Sequence, residues 1–125
     1  MKEAIVLEKN LRSRKCKPHQ KGHAPLKHEF VKGYLSQLPD WKLSGKKIVR
    51  LFQFKNFYET MGFVNAIAYI ANQENHHPDL EAGYKTCKVS YSTHEAGGLS
   101  LNDFVCATKI DELLAGISEE EGGEI

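Results

Sequence analysis

No apolar run in this 125-residue sequence reaches the ~18 residues that cross a bilayer, so no membrane span is expected. A signal-peptide core is missing as well. Lys9 to Lys17 is polar, and the expected compartment is the cytoplasm. A disulfide framework is also lacking. The three cysteines, Cys16, Cys87 and Cys106, are odd in number and widely spaced, which suits reduced thiols. Net charge is nearly absent, at +1, and that argues against wholesale nucleic-acid binding. There is no glycine-rich phosphate loop and no serine in a nucleophile elbow. Neither Cys87 nor Cys106 has a base signal beside it. Phosphate-loop and covalent-nucleophile chemistries therefore have nothing to stand on.

What is present fits one soluble domain. Apolar residues make up 41% and charged residues 26%, both ordinary values for a globular chain. A chain of this length buries roughly two thirds of its unfolded surface, enough for a real core. The charge is unevenly placed. Lys2, Lys9, Arg12, Arg14, Lys15, Lys17 and Lys21 face only Glu3 and Glu8 in the first twenty-one residues. Asp111, Glu112, Glu119, Glu120, Glu121 and Glu124 crowd the other end. These read as two solvated tails, or as a basic arm that docks on an acidic partner. Residues 1–24 are expected to be a mostly irregular arm, 25–117 the domain, and 118–125 a disordered acidic tail.

Hydrophobic period sets out the domain. Leu26, Phe30, Tyr34 and Leu38 recur every four residues, a first helix opened by Pro25 and stopped by Pro39. Trp41 to Ser44 is a short strand, Gly45-Lys46-Lys47 a turn. Ile48 to Phe54 is a second strand, apolar on both faces and so central or covered by a partner. A long helix spans about Asn56 to Asn75, with Asn56 and Glu59 as a capping box. Its two apolar stripes predict burial on more than one side, by another helix or by another subunit. Leu80 to Tyr84 and the alternating run from Cys87 form a second hairpin. Ser100 and Asp103 cap a third helix, which Gly116 ends. The order α-β-β-α-β-β-α predicts an α+β fold: a four-stranded antiparallel sheet with three helices on one face.

The chemistry-bearing stretch is Glu74-Asn75-His76-His77-Pro78, read with Ser92-Thr93-His94 downstream. Pro78 pushes His77 toward extended geometry, so the pair sits at a helix end. Adjacent helical side chains diverge by about a hundred degrees, which serves one metal ion poorly. Two imidazoles reaching different parts of one small substrate is the easier geometry. By strict alternation His94 joins the polar face of its strand. Three histidines suit proton transfer near neutral pH, or they are structural, capping carbonyls at an element's end. Cys16, His19 and His23 stand at C-x2-H-x3-H, but a structural zinc takes four ligands and no second half-site follows. No metal is expected.

The run Ala71 to Asp111 resembles the pterin-4a-carbinolamine dehydratases. The resemblance rests on His76-His77-Pro78, Tyr84, Val89, Ser92-Thr93-His94-Glu95, Gly97-Gly98-Leu99-Ser100, Asp103-Phe104 and Ala107. Trp41 and Phe52-x-Phe54-x-x-Phe57 also fit, so the likeness covers about Pro25 to Gly116. It implies dehydration of a 4a-hydroxytetrahydropterin to the quinonoid dihydropterin, without cofactor, serving aromatic amino-acid hydroxylases. It implies His76 and His94 as acid/base groups and His77 as a binder of the pterin ring. Ser92 and Thr93 would meet the ring's polar edge through their backbones, and Pro78 and Trp41 would wall the site. Glu74 and Asn75 join the candidate binding residues. Many members carry acids where this chain has Asn72 and Asn75, so imidazole pKa values should be less raised here. Leu80 replaces a tryptophan of some members. The family also includes dimerisation cofactors and assembly factors. A dimer or tetramer through the long helix or a sheet edge is expected, and a non-enzymatic interaction module is the competing reading.

Overall fold

A computed structural model describes residues 5–18 and 24–121, with side chains described as far as 115. Three α-helices, α1 (His28–Leu35), α2 (Phe57–Glu74) and α3 (Leu101–Glu121), alternate with four strands. The strands are β1 (Lys42–Ser44), β2 (Lys47–Gln53), β3 (Asp79–Ala82) and β4 (Thr86–Tyr91). They form one antiparallel sheet in the order β1-β2-β4-β3. The α+β architecture read from the sequence is the observed one.

The sheet's inner face is written in alternation. Ile48 and Phe52 on β2 and Cys87, Val89 and Tyr91 on β4 are all buried. β2 is central, as its two apolar faces required, although Leu51 on the outer face stays exposed. The β1–β2 hairpin needs only Gly45 and Lys46 as its loop, because Ser44 already pairs with Lys47. Gly45 sits at φ +63 there, a conformation that costs glycine little.

α2 buries Thr60, Phe63, Ile67, Ala71 and Glu74, a stripe at three- and four-residue spacing. The stripe that begins at Phe57 is only partly covered by the described residues: Phe57 is 48% exposed, while Val64 packs against the core and Ala71 is buried. The α2 cap forms as expected. Asn56 Oδ1 accepts from the Glu59 N–H at 2.8 Å. The Glu59 carboxylate reaches one residue further back than a capping box does, to the Lys55 N–H at 3.2 Å.

Four expectations need correction. α1 starts at His28, not Pro25. The Leu26 N–H is drawn into a bond with the Leu99 carbonyl, 2.8 Å, which holds that segment extended. β4 stops at Tyr91, so strand parity does not reach His94, which opens a 3-10 turn over His94–Ala96. α3 runs through Gly116 to Glu121. One glycine costs a helix only ~1 kcal/mol against alanine, too little to end it. The fourth concerns the arm. Leu11, in a 3-10 turn over Leu11–Ser13, is buried in the core, and Leu7 packs against it. The arm's charges meet the chain's own acids: Arg14 pairs with Glu8 at 2.7 Å, Arg12 with Glu112 at 3.4 Å and Lys15 with Glu74 at 3.7 Å. His19 and His23 of the proposed zinc half-site lie outside the described residues.

Candidate active site

The site begins where α2 ends. Asn75 closes the helix in the left-handed region, φ 51, one of the few residues besides glycine that does so cheaply. Its turn brings the His76 N–H back to the Ala71 carbonyl at 3.2 Å. The two imidazoles then part. His76 turns inward against α3, whereas His77 is exposed and meets Asn72 Oδ1 at 3.3 Å.

His76 Nε2 lies 2.6 Å from Asp103 Oδ1. Asp103 is 0% exposed, and a buried carboxylate is costly unless its oxygens are bonded. Here they are. Oδ2 accepts from the Thr93 hydroxyl at 2.8 Å and from the Ser100 N–H at 2.9 Å. The Thr93 and Ser100 hydroxyls share a further bond at 2.7 Å. The His76 ring stacks on Tyr91, with centroids 5.3 Å apart and planes at 16°. Burial disfavours the charged imidazole, yet the Asp103 hydrogen bond and charge outweigh it, and His76 titrates above its ordinary pKa. Glu95 adds a smaller push in the same direction. The loss of acids at Asn72 and Asn75 thus does not leave this histidine without a carboxylate. Asp103 supplies one from another element.

With Nε2 committed to Asp103, Nδ1 is the nitrogen left for a substrate. His76 borders a cleft of about 380 Å³ that Glu74, Asn75, Thr93 and Glu95 also line, with arm residues Cys16 to Pro18 along one wall. Four of the sequence candidates therefore share this cleft: Glu74, Asn75, His76 and Thr93. His77, His94, Pro78, Ser92 and Trp41 are not among its lining residues. His94 is exposed at the start of its 3-10 turn, and Ser92 and Pro78 are half-buried.

Two of the candidates have other partners within the chain. Trp41 is 3% exposed in the core, its indole N–H donating to Asp111 at 2.9 Å, so it walls no substrate site within this chain. Arg50 holds the same Asp111 oxygen at 2.8 Å. The Thr93 backbone is spoken for: its N–H donates to the Gly98 carbonyl at 2.8 Å, and its own carbonyl accepts from Ala96 at 3.0 Å. The Thr93 hydroxyl orders Asp103. Glu74 lines the cleft but is occupied by the Cys16 N–H at 2.8 Å and by Lys15 and Lys109.

Sequence reasoning missed Asp103 as a site residue, although it had marked the position. The Ser100-x-x-Asp103 spacing signals a helix cap, and that bond is present. Nothing local in the sequence shows that the second oxygen reaches a histidine 27 positions away. Among the described residues no cluster of three or more His, Cys, Asp or Glu is arranged to hold a metal ion.

Comparison with known proteins points the same way. The profile of the Pterin 4 alpha carbinolamine dehydratase family matches residues 24–113. A protein of Nitrosomonas eutropha named "Putative pterin-4-alpha-carbinolamine dehydratase" is 52% identical over 106 residues, covering 84% of this chain and 94% of that one. A protein of the same name from Legionella pneumophila is 53% identical over 108 residues, 84% of this chain and 96% of its own. A crystal structure described as a transcriptional coactivator/pterin dehydratase from Brucella melitensis superposes with a TM-score of 0.68. It is 28% identical and covers 71% of this chain and 97% of that one. With the family profile spanning both histidine segments and Asp103, this chain belongs to the pterin 4 alpha carbinolamine dehydratase family.

Proposed function

We propose that the protein is a 4a-hydroxytetrahydropterin dehydratase, releasing water and the quinonoid dihydropterin. The observation that carries this reading is the His76–Asp103 pair at the cleft. A carboxylate-backed imidazole with a raised pKa holds a proton close to neutral pH and can deliver it to a leaving hydroxyl. Loss of that hydroxyl from C4a as water leaves a cation. A second base then takes the proton from the neighbouring ring nitrogen, and the C=N bond forms. His76 takes the acid role and His94 the base role, while His77 binds the ring. Pro78 and the Ser92 backbone are assigned to the ring's surroundings by the family resemblance, since neither lines the His76 cleft. The reaction needs no metal or bound cofactor. It would support tetrahydropterin recycling for aromatic amino-acid hydroxylases in the cytoplasm, its quinonoid product passing to a separate reductase. Among the described residues no helix is long and apolar enough to cross a membrane.

The test is a rapid-mixing assay on a chemically generated carbinolamine, with His76→Ala and His94→Ala alongside. Wild-type protein should accelerate dehydration and both variants should lose most of the rate. A wild type no faster than buffer sinks the reading, and stoichiometric zinc in the purified protein would move it to a metal site.

A second reading has its own support. Tyr58, Gly62, Ala66, Leu113 and Leu114 line an open, largely apolar groove of about 630 Å³ between α2 and α3. β1 and β3 are free sheet edges. Either surface suits a dimer or tetramer of this chain, or a protein partner, as the coactivator part of the Brucella protein's description suggests. Light scattering during gel filtration distinguishes monomer from oligomer. An interaction module would keep partner binding in the doubly substituted His76→Ala, His94→Ala protein.

A further inference from the structure

Cys16 and Cys106 are far apart in sequence and adjacent in space. Their sulfurs are 3.5 Å apart, where a disulfide holds them at about 2.05 Å. Cys106 is buried on α3 and Cys16 is half-buried in the arm, so the pair meets solvent on the Cys16 side. The arm is held in place beside them. The Cys16 N–H donates to the buried Glu74 carboxylate at 2.8 Å. The Lys17 N–H donates to Asn102 Oδ1 at 3.0 Å, and Asn102 Nδ2 donates back to the Lys17 carbonyl at 2.7 Å. Thus Cys16, Lys17 and Pro18 form one wall of the His76 cleft, and the Cys106 sulfur sits 4.0 Å from the His76 carbonyl.

We propose that Cys16 and Cys106 are a reversible redox pair, closed by a peroxide into a disulfide that staples the arm to α3 along the wall of the His76 cleft. One sulfur attacks the peroxide, takes one oxygen as a sulfenic acid and releases the other as water. The second sulfur displaces that oxygen as a further water. Two thiols and one hydrogen peroxide give one disulfide and two waters. The electrostatics support the first step. The hydrogen bond from Cys16 lowers the Cys106 pKa despite burial, with help from the Tyr91 hydroxyl and the His76 charge, while Cys16 is pushed up. Cys106 is therefore the sulfur biased toward the thiolate, the reactive form. Cys87, buried at 0% under the sheet, is the built-in control.

The test uses the full chain and does not depend on the reaction proposed above. Reduced protein is treated with hydrogen peroxide, denatured, alkylated and mapped by mass spectrometry. The free thiols should fall from the three present to one, Cys87, with Cys16 joined to Cys106, and dithiothreitol should restore all three. Cys16→Ser, a change in the half-buried arm, should form no disulfide, with Cys87 still free and Cys106 either free or trapped as a sulfenic acid by dimedone. A disulfide across 90 positions restricts the unfolded chain, so the oxidised wild type should melt higher, reverting with dithiothreitol and unchanged in Cys16→Ser. Three surviving thiols would overturn the proposal. So would a Cys16–Cys16 link between chains, over-oxidation of Cys16 with Cys106 left free, or both thiols protected by stoichiometric zinc.

Discussion

His76 and His77 are neighbours in the chain and strangers in their surroundings. One is enclosed, stacked on Tyr91 and tied to a buried carboxylate. The other is exposed, with a 3.3 Å contact to an amide. The difference arises one residue earlier, where Asn75 turns the helix end and parts the two side chains. An imidazole gains catalytic character from what holds it, so under the proposed mechanism His76 moves the proton and His77 binds the ring. The widest separation should appear in kinetics. His76→Ala should lower kcat by about 10²–10⁴-fold, the usual worth of a general acid or base. His77→Ala should chiefly raise KM. Equal kcat losses in the two variants would dissolve the distinction.

Asp103→Asn sharpens the contrast from the other side. It keeps the shape and removes the charge that raises the His76 pKa. Activity that depends on protonated His76 should then fail at lower pH than in the wild type. The His77→Ala profile should keep the wild-type limb. The Asn side chain must also satisfy Thr93 and the Ser100 N–H with one oxygen, so a stability loss of about 1–3 kcal/mol is expected by urea unfolding. An unshifted pH profile would mean that Asp103 is only a helix cap.

A smaller effect lies in the wild type's own stability. The folded-state pKa of His76 stands above its ordinary value of 6.5, so the native state binds the proton more tightly than the unfolded chain. That contribution is complete below the unfolded pKa and is lost as pH rises through the folded one. Melting temperature should therefore fall with rising pH across that window. His76→Gln should flatten this part of the curve, and His77→Gln should leave it intact. A slope that survives His76→Gln would place the proton elsewhere.

The same contrast separates what the sequence made legible from what it did not. Period and punctuation located the α-helices and strands of the described residues, because the Phe63–Ile67–Ala71 spacing and the Cys87–Val89–Tyr91 alternation are local facts. The HHP stretch marked the right helix end for the same reason. Asp103 was legible only as a cap, since its bond to His76 depends on how α3 crosses the end of α2. Trp41 was open to misreading for a related reason: Asp111, far along the chain and held by Arg50, accepts its indole N–H. The arm looked like a solvated basic tail because Leu7 and Leu11 are too few to show a period. Only the folded structure reveals the core surface that receives them.

Asn75 itself is the mildest place to test the division. Its φ of 51 is a conformation that asparagine and glycine tolerate and alanine resists. Asn75→Gly should therefore change stability by only a few tenths of a kcal/mol, because easier backbone geometry is offset by a more mobile unfolded chain. Asn75→Ala should cost about 1 kcal/mol, since the side chain is exposed and only the strained backbone is at stake. Denaturant unfolding of the two variants reads that difference directly. Their kinetics then say what the turn is for. If the αL geometry aims the histidines, glycine should preserve the wild-type KM and kcat, and alanine should raise KM and lower kcat. If both variants lose activity alike while glycine keeps its stability, the Asn75 amide touches the substrate, and the turn is not its only contribution.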